Sequence, residues 1–191
     1  MKERHHHVCP VERAGHLDHR LRRWFQNPRK ILSPYIVEGM TVLDVGCGPG
    51  FFSIDMAHLV GASGRVIALD LQEGMLRKLN AKIQGTDLEA RFTLQQCEGD
   101  KLGVSEPVDF ILAFYMFHEV RNQDGFFHEI GSILKTNGQA LVVEPPFHVS
   151  KSAFTEMIKK AHQAGLEPVE NPKVFFSKAV VLKKVNQVID P

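Results

Sequence analysis

Residues 41–52 read TVLDVGCGPGFF. An apolar, β-branched run climbs to Asp44, and glycines then fall at alternate positions, Gly46, Gly48 and Gly50. The run predicts a strand. Glycines directly after it predict a sharp turn, in which a β-carbon would stop the chain folding back or would occupy a ligand's space.

Downstream, extended and helical patterns alternate. FFSIDMAHLV (51–60) places Phe52, Met56, Leu59 and Val60 at helical spacing, and GASG (61–64) ends it. RVIALD (65–70) predicts a second strand, and residues 72–85 a helix with Met75, Leu76, Leu79 and Ile83 on one face, stopped at Gly85. Strands follow at 90–95, 108–115 and 139–145, with helices at 123–135 and 151–165, the latter ended by Gly165. Two last strands flank Asn171-Pro172. Strands 42–45, 66–69, 109–114 and 140–143 are apolar throughout, which marks strands covered on both faces. The βαβα rhythm predicts an α/β, doubly wound sheet with helices on each side.

In such a sheet ligands bind beyond the carboxyl ends of the strands. Three cofactor classes compete for the glycine turn. A P-loop needs GxxxxGK[ST], and no Lys-Ser/Thr pair follows here. A dinucleotide fold needs GxGxxG, but the third glycine position falls on Phe51 or Ser53. Asp44 would also repel a pyrophosphate, whereas it suits a ligand carrying an ammonium or sulfonium charge. Asp70 ends the second strand, where a carboxylate accepts hydrogen bonds from a ribose diol. Leu71 and Met75 could give an adenine ring apolar contact.

TVLDVGCGPGFFSIDMA, VIALDLQ, VDFILAFYMFHEV and ILKTNGQALVVEP, in this order, resemble the successive motifs of class I S-adenosylmethionine-dependent methyltransferases, from about residue 35 to 185. The resemblance implies a Rossmann-like, mostly parallel seven-stranded sheet with an antiparallel last strand. It implies S-adenosyl-L-methionine as cofactor and S-adenosyl-L-homocysteine as product. Gly46, Gly48 and Gly50, with Cys47 between them, would approach the methionyl moiety, Asp44 its ammonium, and Asp70 the ribose. The place near the adenine amino group is shared by Cys97 and Glu98, and the backbone of Ala113 and Phe114 would line the methionyl side.

A sulfonium methyl is already activated, so the protein chiefly aligns the acceptor and excludes water. His118 and Tyr115, following the fourth strand, are the candidate catalytic residues, as base and as orienting hydroxyl. Glu144 ends the fifth strand close by. EPPF (144–147) follows the wrong strand, and carries the wrong acid, for the tetrad of amino-methylating DNA enzymes. Cys9, Cys47 and Cys97 are not placed to converge on a metalloid, and HHHVCP (5–10) with His16 and His19 matches no zinc spacing. No metal is expected.

Composition sets the frame. The 191 residues suit one domain, with 43% apolar and 24% charged residues as in soluble globular proteins. No apolar stretch is long enough for a membrane span, the polar N-terminus reads as no secretory signal, and three cysteines fit a reducing cytoplasm. Residues 1–30 hold eight Lys and Arg against three acids, which leaves the other 161 at about −4. Leu17, Leu21, Trp24 and Phe25 recur there at helical spacing with arginines between them. Residues 1–34 are read as a basic helical segment; the family resemblance implies that it covers the substrate pocket, with Trp24 and an arginine contributing to substrate choice, and a helix packed on the sheet edge is the alternative. Residues 35–191 form the cofactor-binding domain. The expected partner is a small-molecule acceptor, anionic or lipid-like, and not a nucleic acid. A non-catalytic protein that binds the same cofactor and regulates a partner is the alternative; an NAD-dependent oxidoreductase is disfavoured by the failed GxGxxG.

Overall fold

The computed structural model describes residues 20–99 and 101–184. Cys9, His16, Leu17, His19 and the HHH run lie outside the described residues. Two short helices, α1 (Arg20–Phe25) and α2 (Pro28–Leu32), lead into an alternation of β1 (Thr41–Val45), α3 (Ser53–Leu59), β2 (Arg65–Asp70), α4 (Glu73–Ile83) and β3 (Phe92–Gln96). Then come β4 (Val108–Phe114), α5 (Gln123–Ile133), β5 (Leu134–Glu144), α6 (Lys151–Gln163), β6 (Leu166–Glu170) and β7 (Lys178–Lys184).

All seven strands form one sheet in the order β3-β2-β1-β4-β5-β7-β6. β1 to β5 pair in parallel, and β7 runs antiparallel to both β5 and β6. The chain thus winds outward from β1 to β3, returns to lay β4 beside β1, and winds the other way. Strand order reverses between β1 and β4, which opens a crevice at their carboxyl ends.

Side chains alternate across a strand, and this alternation sorts the core into two layers. Leu43 and Val45 of β1 join Ile111 and Ala113 of β4 on the face covered by α5 and α6. Val42 of β1 joins Phe110, Leu112 and Phe114 of β4 on the face covered by α2 and α3. Ala68 of β2 packs with Leu76, Leu79 and Ile83 of α4. Helices on both faces explain why these strands carry no polar alternation.

Several boundaries differ from the sequence reading. α3 begins at Ser53 because Phe51 and Phe52 still belong to the turn. β3 begins at Phe92, since residues 89–91 form a 3-10 turn whose Arg91 donates to the Ala57 carbonyl. α5 ends at Ile133 rather than 135, and β5 begins at Leu134 rather than 139. Leu134 already pairs with Val108, and the register then skips to Phe110 opposite Gln139. The turn-prone Thr136-Asn137-Gly138 sequence masks that early pairing. Among the described residues no helix is long and apolar enough to cross a membrane.

Candidate active site

A cavity of about 630 Å³ opens at the reversal point, walled by the turn after β1, the end of β2, the start of α4, the segment after β4, and Arg22 of α1. Its size is that of a site for a cofactor or drug-sized ligand. The turn is held from behind: Gly46 and Cys47 both donate to the Leu69 carbonyl, at 2.8 and 2.9 Å. Asp70 ties the same turn to β2. Its Oδ2 accepts from the Gly48 amide at 2.8 Å and its Oδ1 from the Gln72 amide at 2.8 Å. Each carboxylate oxygen retains a second lone pair for a ligand hydroxyl.

The three glycines do different work. Gly48 (φ +53) has nothing within 4 Å of where a β-carbon would lie, and it faces the cavity. A β-carbon on Gly46 (φ +70) would come within 3.0 Å of Met116. On Gly50 (φ +87) it would come within 2.4 Å of Leu79 Cδ1, so this glycine serves the packing of α4 and does not line the cavity.

Asp44 sits on the α3 face of the sheet, and there Ser53 Oγ donates to its Oδ2 at 2.5 Å. Burial raises its carboxyl to about 7, against the lowering effects of the Ser53 bond and of Arg22. Burial likewise pushes the Asp70 carboxyl up, against its bonds from Gln72 and Gly48. The thiols of Cys47, raised well above the ordinary range, and Cys97, pushed up to about 11, stay protonated near neutral pH and act as apolar lining. Leu71, Met75 and Gly99 complete that end, while Glu98 lies outside the lining.

At the other end, strand alternation separates two expected neighbours. Phe114 faces the cavity and packs on Phe52 at 4.3 Å between ring centroids, whereas Ala113 points into the α5 layer and does not line it. Arg22 lays its guanidinium 4.2 Å from the centre of the Phe51 ring. Met116 and Glu119, in the stretch after β4, line the cavity, and so do Phe51, Phe52 and Gln72, to which the sequence assigns no site role. Phe52 stands two residues after Gly50, but its helical spacing with Met56 assigns it to the core of α3.

A second cavity of about 430 Å³ adjoins the first across Tyr115, which lines both. Its other walls are Gln26, the stretch from Pro145 to His148, and Phe175 with Phe176. Tyr115 (φ +59) and Phe176 (φ +44) are the two described non-glycine residues with left-handed backbone, and both stand here. Backbone strain of this kind collects at functional sites. The Tyr115 hydroxyl is already engaged: Gln26 Nε2 donates to it at 2.7 Å, and it is hydrogen-bonded to Ser177 Oγ at 2.5 Å. It clamps α1 and the β6–β7 loop to the end of β4.

His118 lines neither cavity. Its Nδ1 lies 2.6 Å from Oε2 of the buried Glu144, whose Oε1 accepts from the Phe117 amide. The hydrogen bond to Glu144 raises the imidazole above its usual value, against the opposing effect of burial. A raised folded-state value means that this pair stabilises the fold fully below the unfolded histidine value, and fades as pH rises through the folded one. An NMR titration should therefore place His118 above about 6.5, and Glu144→Gln should bring it down; an unchanged value in the variant would remove Glu144 as the cause. The imidazole that does reach the smaller cavity is that of His148, stacked 5.8 Å from His118. Trp24 lines neither cavity, being 79% exposed. Among the described residues no group of three His, Cys, Asp or Glu could hold a metal ion.

A glycine turn after β1, an acid closing β2 and a cavity at the reversal point form one constellation, and the family called Methyltransferase domain matches residues 36–179. The chain belongs to that family. Its fold and motifs are those of the class I S-adenosylmethionine-dependent methyltransferases. It is similar to a demethylmenaquinone methyltransferase of Lactococcus lactis, 29% identical over 122 residues, which is 61% of this chain and 47% of that protein. A ubiquinone/menaquinone biosynthesis C-methyltransferase of Shewanella is 27% identical over 107 residues, 56% of this chain and 43% of that protein. A SAM-dependent methyltransferase of Aquifex aeolicus superposes with a TM-score of 0.84 at 26% identity, covering 93% of this chain and all of the other. The chain spans less than half the length of the curated relatives it matches.

Proposed function

We propose that this chain transfers a methyl group from S-adenosylmethionine to a small, apolar, lipid-like acceptor. The observation that carries the reading is the pair of cavities meeting at Tyr115: a larger one lined by Asp44, Asp70 and Glu119, and a smaller one walled mainly by Phe and Pro. When bound, S-adenosylmethionine supplies a sulfonium-activated methyl.

The residues then have separable tasks. Asp70 accepts from the ribose hydroxyls while holding Gly48 and Gln72 in place. Leu71, Met75 and Cys97 flank the adenine, and Gly46, Cys47 and Gly48 leave their backbone open to the methionyl chain. Asp44 faces the ammonium, and Arg22, which also lines the cavity, is the partner for the ligand's carboxylate. Phe52, Phe114 and Tyr115 exclude water from the transfer path. His148 is the imidazole placed to take the acceptor's proton. Relatives named for demethylmenaquinone and ubiquinone/menaquinone support an acceptor of apolar, lipid-like kind. The free thiols of Cys47 and Cys97 support a reducing, cytoplasmic setting. The segment from α1 to α2 acts as the cover, through Arg22 and Gln26.

Calorimetric titration with S-adenosylmethionine, S-adenosylhomocysteine and NAD tests the cofactor. Adenosyl ligands alone should bind; binding of NAD alone would overturn the reading. The pH dependence adds a sharper test. With the Asp44 carboxyl at about 7, an ammonium ligand must displace a proton below that pH. Affinity should rise as pH rises from 5.5 to 7.5, by up to about tenfold per unit in the acidic part, and level off above. A flat profile would remove Asp44 from contact with the ammonium.

A further inference from the structure

Five large aromatic side chains stand in solvent on one side of the molecule: Trp24 is 79% exposed, Phe147 94%, Phe176 74%, Phe25 48% and Phe175 47%. They are contiguous. Trp24 lies 5.1 Å from Phe25, Phe25 stacks on Phe175 at 5.0 Å, Phe175 meets Phe176 at 4.5 Å, and Phe147 shares the smaller cavity with that pair. Isolated exposed apolar residues are ordinary, but a contiguous patch marks an interaction surface.

The charge of the same segments is one-sided. Residues 20–33, 145–151 and 171–178, which supply all five rings, contain eight Lys and Arg and no Asp or Glu. The chain as a whole carries only +1. Arg23 is paired with Asp55, but large aromatics carried on segments so rich in cations and free of acids are the composition of surfaces that lie in the headgroup layer of a bilayer containing anionic lipids. Single-stranded nucleic acid would also welcome cations and rings, but stacking on bases needs free ring faces. Here Phe25 and Phe175 already stack on each other, and the cavity between the rings is lined mainly by Pro and Phe.

We propose that this aromatic, basic rim docks the protein on the surface of an anionic bilayer, with the smaller cavity opening toward the lipid. The rim then collects the acceptor where a lipid-like molecule resides. This deepens the acceptor reading, yet it is tested without cofactor, so the two can fail separately.

Trp24 is the chain's one tryptophan, so it reports docking directly. Vesicles of phosphatidylcholine with a third phosphatidylglycerol should shift its emission to the blue and shield it from iodide, and pure phosphatidylcholine should do so far less. Co-sedimentation should weaken at least about fivefold for each of Arg29→Glu and Lys173→Glu, and more for Phe147→Ser with Phe176→Ser. Circular dichroism of each variant confirms that it is folded. Absence of any shift on anionic vesicles overturns the proposal. So does equal binding to both vesicle types that is indifferent to the variants. Binding of a single-stranded RNA oligomer in place of vesicles assigns the rim to nucleic acid, and a concentration-dependent dimer abolished by Phe176→Ser assigns it to a second copy of this chain; either result overturns lipid docking.

Discussion

Asp70→Ala is expected to weaken the binding of S-adenosylhomocysteine by ten- to a hundredfold, about 1.4–2.8 kcal/mol. The loss has two sources. The ribose hydroxyls lose their acceptor, and the Gly48 and Gln72 amides, each 2.8 Å from the carboxylate, lose theirs. The second source loosens the backbone that lines the methionyl side, so affinity should fall by more than one hydrogen bond accounts for. Asp70→Asn keeps the shape and one acceptor oxygen, and should fall between wild type and alanine. Calorimetry reads this directly. An alanine variant that binds within twofold of wild type would remove Asp70 from ligand binding and show that the turn keeps its shape without it.

Gly50→Ala should cost about 2–5 kcal/mol of stability, read by urea unfolding. A left-handed backbone costs a non-glycine residue about 1–2 kcal/mol, and Gly50 holds φ +87. Its new β-carbon would also press to 2.4 Å from Leu79 Cδ1. Leu79 is fully buried between α4 and β2, so its accommodation adds an overpacking cost of about 1–3 kcal/mol. Gly48→Ala is the control. Its backbone is strained in the same sense, but its β-carbon meets no protein atom. It should cost about 1–2 kcal/mol of stability and act chiefly on cofactor affinity, because the added methyl enters ligand space. Equal destabilisation by the two variants would show that contact with Leu79 does not matter.

These paired effects show how far the sequence alone could be read. Unbroken apolar runs at 42–45, 66–69, 109–114 and 140–143 announced strands buried on both faces, because only covered sheets dispense with polar alternation. Glycines crowded behind Asp44, and an acid at the end of the next strand, announced a ligand at the sheet's carboxyl edge. In the structure the turn, Asp70, Leu71, Met75, Cys97, Phe114 and Tyr115 do surround one cavity. Local signals sufficed because those residues sit at strand ends, where position along the chain already determines position in the fold.

What local signals could not decide was direction and distance. Gly46, Gly48 and Gly50 look alike in sequence, but Met116, open space and Leu79 lie opposite them. Ala113 and Phe114 are neighbours in the chain, yet pleating sends one into the α5 layer and the other to the cavity. Arg22 reaches Phe51 from a helix 29 positions earlier, and Gln26 meets Tyr115 across 89. The sequence by itself determined the strand order's raw material, the cofactor turn and the charge of the N-terminal segment. Those properties reside in periodicity, backbone permissiveness and composition. Tertiary structure alone decided that α1 and the loops after β5 and β6 converge on Tyr115, join two cavities there, and gather their aromatics on one basic face, because such contacts depend on how distant segments pack and leave no local trace.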